Sequence, residues 1–113
     1  MDITANELTQ WAKKYLETQG VRLNRVNNIP WAKRKGTIEK GWPDLQGYDK
    51  NGKYFAVEVK KIGDKISLDQ KNRLEDIWIC EGIALICTEQ DGKPILILWE
   101  EARLLQNFGK MKK

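Results

Sequence analysis

The chain has 113 residues, enough for one hydrophobic core and too few for two. Hydrophobic residues make up 41% and charged residues 32%, the balance of a globular rather than a disordered chain. There is no histidine, which excludes Ser-His and Cys-His nucleophile pairs, histidine-ligated metals and imidazole acid-base chemistry. Any catalysis must use carboxylates, lysine, water and metal. The formal net charge is +4, and the excess is clustered: Lys33-Arg34-Lys35, then Lys60, Lys61 and Lys65, then Lys110, Lys112 and Lys113. Such clusters suit a polyanion, nucleic acid or membrane surface, or else form a plain solvated basic face.

No apolar run approaches the roughly 20 residues needed to cross a bilayer. The N-terminal MDITANELTQW has no basic stretch followed by an apolar one, so no secretory signal is expected. Cys80 and Cys87 lie in apolar segments and read as small buried hydrophobes of a reducing compartment, too few for a cysteine-rich zinc site. A cytoplasmic protein is the expectation.

In chain order, Thr4-Ala5-Asn6-Glu7 fits a capping box that opens a first helix. Leu8, Trp11, Ala12, Tyr15 and Leu16 supply its apolar face, and Gly20 stops it. Glu7 borders that face; it either closes the cap or turns its carboxylate toward a site. Val21 to Asn27 alternates as a strand. Asn28 to Lys40, with Pro30, Trp31 and the basic triplet, reads as a long loop, suited to phosphate contact and base stacking or anchored by a buried Trp31.

The stretch from Gly41 to Lys60, GWPDLQGYDKNGKYFAVEVK, reads as a hairpin with strands at Asp44–Tyr48 and Tyr54–Lys60. Phe55, Val57 and Val59 face one way, Ala56, Glu58 and Lys60 the other. Register decides whether Asp44 joins Glu58. A two-residue Asn51-Gly52 turn opposes Leu45 to Glu58; a three-residue Lys50-Asn51-Gly52 turn, with Gly52 left-handed, opposes Asp44 to Glu58. Ser67-Leu68-Asp69-Gln70 is a second capping box, opening a helix to about Glu81 that Gly82 ends, with Leu74, Ile77 and Trp78 buried. Gln70 is a cap or a site residue. Ile83 to Cys87 reads as a buried strand, Glu89 to Gly92 as a turn, Pro94 to Trp99 as a paired strand, and Glu100 or Glu101 to about Phe108 as a last helix. A frayed basic tail follows from about residue 109. Trp42, Tyr48 and Trp99 are candidates for core or interface. The order α-β-β-β-α-β-β-α makes a single α/β domain over residues 1–113, a mixed sheet flanked by helices.

Two carboxylates on adjacent strands, without imidazole or thiolate, favour an oxygen-loving dication such as Mg²⁺ or Mn²⁺. Such an ion activates water and neutralises phosphoryl charge, and Lys60, on the face of Glu58, can orient the water or steady developing charge. These parts suit phosphodiester hydrolysis. The plainer reading is a surface strand of alternating charge.

The order Glu7, Pro43-Asp44, Glu58-Val59-Lys60, Gln70 resembles the PD-(D/E)xK nuclease superfamily. In particular it resembles the VRR-NUC branch, the virus-type replication-repair nucleases, through Asn27-Asn28, Gly41-Trp42-Pro43-Asp44-Leu45, Ala56-Val57-Glu58-Val59-Lys60, Ser67-Leu68-Asp69-Gln70 and Glu81-Gly82-Ile83. Many relatives carry two glycines where this chain has Glu81-Gly82. The resemblance implies a restriction-endonuclease-like core and a Mg²⁺-dependent endodeoxyribonuclease, with Mn²⁺ as substitute. It makes Asp44, Glu58 and the Val59 carbonyl metal ligands and Lys60 the water-activating residue. Glu7 becomes a second acid and Gln70 a site-organising group. The stand-alone members are similar to Holliday-junction resolving enzymes and act as homodimers, so branched DNA is the expected partner, with no membrane and no small-molecule substrate. Lys33, Arg34, Lys35, Lys61 and Lys65 are the expected DNA contacts. The competing expectations are a nucleic-acid-binding module that no longer cuts, a flap, nick or duplex nuclease, and an RNA endonuclease.

Overall fold

A computed structural model of the chain describes residues 3–26 and 41–105. The expected loop from Asn28 to Lys40, with Asn27-Asn28, Trp31, Lys33, Arg34 and Lys35, lies outside the described residues, as does the tail from 109.

Helix α1 (Ala5–Thr18) starts at a complete capping box. The Thr4 hydroxyl accepts from the Glu7 N–H and the Glu7 carboxylate accepts from the Thr4 N–H, satisfying two otherwise orphaned donors. Its end is sealed by the Gly20 N–H on the Glu17 carbonyl and the Val21 N–H on the Leu16 carbonyl. Leu8, Ala12 and Leu16 are buried, whereas Tyr15, expected in the core, is 45% exposed and stacks on Trp11.

Among the described residues five strands follow: β1 (Arg22–Arg25), β2 (Leu45–Tyr48), β3 (Tyr54–Val59), β4 (Ile83–Gln90) and β5 (Lys93–Leu98). They lie in the sheet in that order. Pairing is antiparallel except between β3 and β4, which are parallel and joined across α2 (Leu68–Ile79). A parallel pair needs such a crossover, and the crossover helix covers the sheet. A short α3 (Trp99–Ala102) lies beside it.

Both sheet faces are therefore buried. Toward α1 lie Leu23, Leu45, Val57, Leu85 and Cys87; toward α2 and α3 lie Ala56, Ala84, Ile86, Leu74, Ile77 and Trp99. Double coverage explains the unbroken apolar run of β4. That strand extends past Cys87 to Gln90, so the following turn is only Asp91-Gly92, both with positive φ (54° and 78°). Two left-handed residues match the tight hairpin between β4 and β5. α3 is clamped to α2 by Glu75, which accepts from the Trp99 indole N–H at 3.0 Å and from Arg103, while the Arg103 guanidinium lies over the Trp78 ring.

Helix α2 opens at Ser67 with the expected capping box but ends at Ile79, two residues before the expected end. The Gly82 N–H bonds the Ile77 carbonyl and the Glu81 N–H the Trp78 carbonyl. The left-handed residue that closes this motif is Glu81 (φ 71°), not Gly82. Gly82 is needed for space instead, since a Cβ there would stand 2.9 Å from the Ile77 side chain. Cys87 is buried, with its thiol pushed up to about 12 by burial. Cys80, expected buried, caps α2 and is exposed, because α2 turns that position to solvent.

The hairpin register is the one a three-residue turn demands. Leu45 pairs with Val57 and Tyr48 with Tyr54. Gly52 has φ 78°, its N–H bonds the Asp49 carbonyl, and the Asp49 carboxylate accepts from the Asn51 and Lys53 N–H groups. One step beyond the Leu45–Val57 pair, Asp44 stands opposite Glu58.

Candidate active site

Asp44 is carried into place by the segment before β2. Gly41 (φ 88°) passes against the first turn of α2 so closely that a Cβ would stand 2.5 Å from the Asp69 carbonyl oxygen. Pro43 is fully buried. The Asp44 carbonyl accepts from the Val26 N–H at 2.9 Å, extending the β1–β2 pairing by a step. Its carboxylate accepts from the Val59 N–H at 2.8 Å, taking the place of a strand partner.

Glu58 lies on the α2 face of β3, only 3% exposed. Its Oε2 accepts from the Gln70 amide at 2.9 Å. Its Oε1 is buried with no hydrogen-bond partner among the described residues. Its pKa is pushed up to about 8, chiefly by burial and then by the facing Asp44 carboxylate, against the opposing pull of Lys60. A buried acid opposed by a second acid favours a proton or a cation beside it.

Lys60 continues the strand, its N–H on the Cys87 carbonyl at 2.9 Å. Its ammonium donates to the Lys65 carbonyl at 3.0 Å and stands 3.9 Å from Glu58 Oε2. The ammonium is thus held by the β3–α2 loop rather than locked onto the acid. That loop is itself braced by Asp64, which accepts from the Lys61 N–H at 3.1 Å.

Gln70 closes the cap and reaches Glu58 with the same amide. The amide oxygen accepts from the Ser67 N–H and closes the capping box, while the amide nitrogen holds Glu58. The group that starts α2 also aims the acid.

Asp44, Glu58, Lys60 and Gln70 therefore converge on one end of the sheet. Glu7 stands exposed at the start of α1, in the layer across the sheet from Glu58, its carboxylate taken up by the Thr4 N–H. The neighbouring Asn6 accepts from Arg25 at 2.6 Å, which sets the N-terminus of α1 at the same sheet end as the Val26–Asp44 bond. Lys61 is half-buried and Lys65 exposed in the loop after β3. Of the aromatic candidates, Trp99 is core, Tyr48 is 57% exposed, and Trp42 lies under the Arg73 guanidinium at 4.0 Å.

Two groups at this end have no counterpart in the sequence reading. The Lys65 carbonyl is backbone and leaves no trace in residue type. Thr88 is fully buried, and its hydroxyl has no partner among the described residues; its only signal is a polar residue beyond the apolar run of β4.

Among the described residues no three or more Asp, Glu, His or Cys side chains cluster as a metal site. The donor set fits a dication nonetheless. Asp44 and Glu58 offer hard oxygen donors, the Glu58 Oε1 has no partner among the described residues, and a cation would offset both the burial and the facing charge that raise its pKa.

No family model and no curated protein sequence matches the chain. A solved structure with a similar fold is that of Hjc, a Holliday junction resolvase from the archaeal hyperthermophile Archaeoglobus fulgidus. The likeness has a TM-score of 0.61 at 15% identity and covers 90% of this chain and 83% of that one. It bears out the expected α/β class: a mixed five-stranded sheet with flanking helices, matching the restriction-endonuclease-like fold of that resolvase. Among the described residues no helix is long and apolar enough to cross a membrane.

Proposed function

We propose that the chain is a metal-dependent, structure-directed DNA endonuclease of the PD-(D/E)xK superfamily and its VRR-NUC branch, a stand-alone nuclease of the Holliday-junction-resolving type. The observation that carries this reading is the Asp44–Glu58 opposition, with Lys60 and Gln70 beside it, on a fold like that of a junction resolvase.

In this reading Asp44, Glu58 and the Val59 carbonyl hold Mg²⁺, with Mn²⁺ as a substitute. The ion supplies a lowered pKa for the attacking water and charge neutralisation at the phosphoryl oxygen. The chain's own residues do the rest. Gln70 keeps Glu58 aimed while its other end anchors α2, so the acid is preorganised. Lys60, restrained by the Lys65 carbonyl, presents its ammonium to the nucleophile or the developing charge. Glu7 is the second acid, released from its cap. Lys33, Arg34, Lys35, Lys61 and Lys65 contact phosphates of branched DNA. A homodimer places one site on each of the two scissile strands of a four-way junction. The setting is the cytoplasm of a bacterial or phage-infected cell.

Cleavage of a labelled four-way junction with Mg²⁺, Mn²⁺ or chelator, beside linear duplex and matched RNA, tests this. Symmetric, metal-dependent nicks confined to the junction, lost in Glu58→Ala and Lys60→Ala while binding persists, are expected. Cutting of every DNA substrate removes the junction preference and leaves a flap or duplex nuclease. Binding without cutting by the parent chain replaces the enzyme with a nucleic-acid-binding module.

A further inference from the structure

Thr88 follows the apolar run of β4 and is 1% exposed, and its Oγ1 is buried without a hydrogen-bond partner among the described residues. A hydroxyl withdrawn from water and left unmatched costs stability. Valine has nearly the same shape and is at least as good a strand residue, so packing alone does not call for threonine here.

The sheet register says what the hydroxyl faces. β3 and β4 run parallel, with Glu58 opposite Ile86 and Val59 opposite Cys87. The Lys60 N–H on the Cys87 carbonyl carries the ladder one step further, which brings Lys60 beside Thr88. Ala84 and Ile86 point toward α2, so Thr88 points there too, on the same face as Glu58 and Lys60. Neighbouring strands stand about 4.8 Å apart, so the two side chains rise side by side. A lysine ammonium has three donors. In this structure it bonds the Lys65 carbonyl at 3.0 Å and is only loosely paired with Glu58 at 3.9 Å. A cation on Glu58 weakens that pairing further and leaves a donor of Lys60 without an acceptor.

We propose that Thr88 is a positioning residue for Lys60, its hydroxyl accepting from the Lys60 ammonium, directly or through one water, once Glu58 is engaged by a dication. With the Lys65 carbonyl it makes a two-point seat that keeps the ammonium at the reacting phosphate. This rests on the nuclease reading given above.

The test is Thr88→Val beside Thr88→Ser in the full chain. Thr88→Val is expected to melt no lower than the parent and to bind junction DNA equally. Its single-turnover cleavage at saturating DNA should fall about 10- to 100-fold, the range for a lost hydrogen bond to a charged group. Thr88→Ser is expected to restore the rate, and in a Lys60→Ala background Thr88→Val should cost nothing further. Parental cleavage by Thr88→Val overturns the proposal. So does a loss that follows a lower melting temperature and that serine does not rescue. A second measurement needs no cleavage: ¹³Cε relaxation of Lys60 with Mg²⁺ present, where Thr88→Val is expected to loosen the side chain. If the parent cuts no substrate yet Lys60 loosens, the nuclease reading fails and the seat stands; unchanged Lys60 order overturns the seat whether or not the chain cuts.

Discussion

Removing the charge of Glu58 should stabilise the metal-free protein, and the gain should grow with pH. The folded-state pKa is raised, from 4.5 to about 8. A raised carboxyl pKa means that the folded chain holds a proton the unfolded chain has released. The stability this gives is full below about pH 4.5 and is lost as pH rises through about 8. Each pH unit in between is worth ~1.36 kcal/mol. From pH 6 to pH 8 the parent should therefore lose about 2 kcal/mol on account of this group, allowing for its partial ionisation near pH 8. Glu58→Gln keeps the shape and an acceptor for the Gln70 amide but cannot ionise, so its stability should be nearly flat over that window. The assay is urea unfolding with chelator at pH 6 and pH 8, parent against variant, which cancels every other titrating group. If the two proteins lose stability in parallel, Glu58 does not carry the shift, and the account of a buried acid awaiting a cation is wrong.

With the proposed dication on Glu58, proton and cation would compete for the same oxygens, so the melting-point gain from added Mg²⁺ or Mn²⁺ should be larger at pH 8 than at pH 6, by up to about 100-fold in apparent affinity; differential scanning fluorimetry across a metal titration reads it, and Glu58→Gln should remove the gain. Glu81→Gly should stabilise the fold by about 1 kcal/mol, because a left-handed φ costs an L-residue roughly 1–2 kcal/mol and glycine returns part of that as unfolded-state freedom; a lower melting temperature would contradict the assigned helix stop. Glu75→Leu should cost about 1–3 kcal/mol by stranding the buried Trp99 indole N–H, and Glu75→Gln much less, measured by chemical unfolding.

Much of the hairpin was legible because its determinants are local. A glycine at position 52 admits a three-residue turn, the turn fixes the register, and the register brings Asp44 to Glu58. Both capping boxes were equally local, each needing only residues three apart. What escaped the sequence is set by partners distant along the chain. Glu81 bears the left-handed angle while Gly82 leaves room for Ile77 and for Tyr54, the latter a contact that no short window contains. Cys80 and Tyr15 sit in apolar stretches yet face solvent, since helical phase rather than composition decides burial. For Gln70 the cap does not preclude a contact with Glu58, because an amide has two ends and the fold uses both. The Lys65 carbonyl was out of reach because backbone leaves no trace in residue type, and the Thr88 hydroxyl because one polar residue after an apolar run is too weak a pattern.

The hairpin also has a kinetic meaning. β2 and β3 meet across a short turn, and such pieces form within about 1–10 μs, whereas β3 cannot meet β4 until the chain has wound through α2. The two causes that raise the Glu58 pKa therefore arrive at different moments. Asp44 confronts it once the hairpin closes; burial follows when α2, whose Gln70 bonds Glu58, settles on the sheet. Raising the pH should then divide its effect, the repulsive share slowing refolding and the burial share quickening unfolding. A chevron recorded at two pH values would time the assembly of the site, with the acid as its own clock.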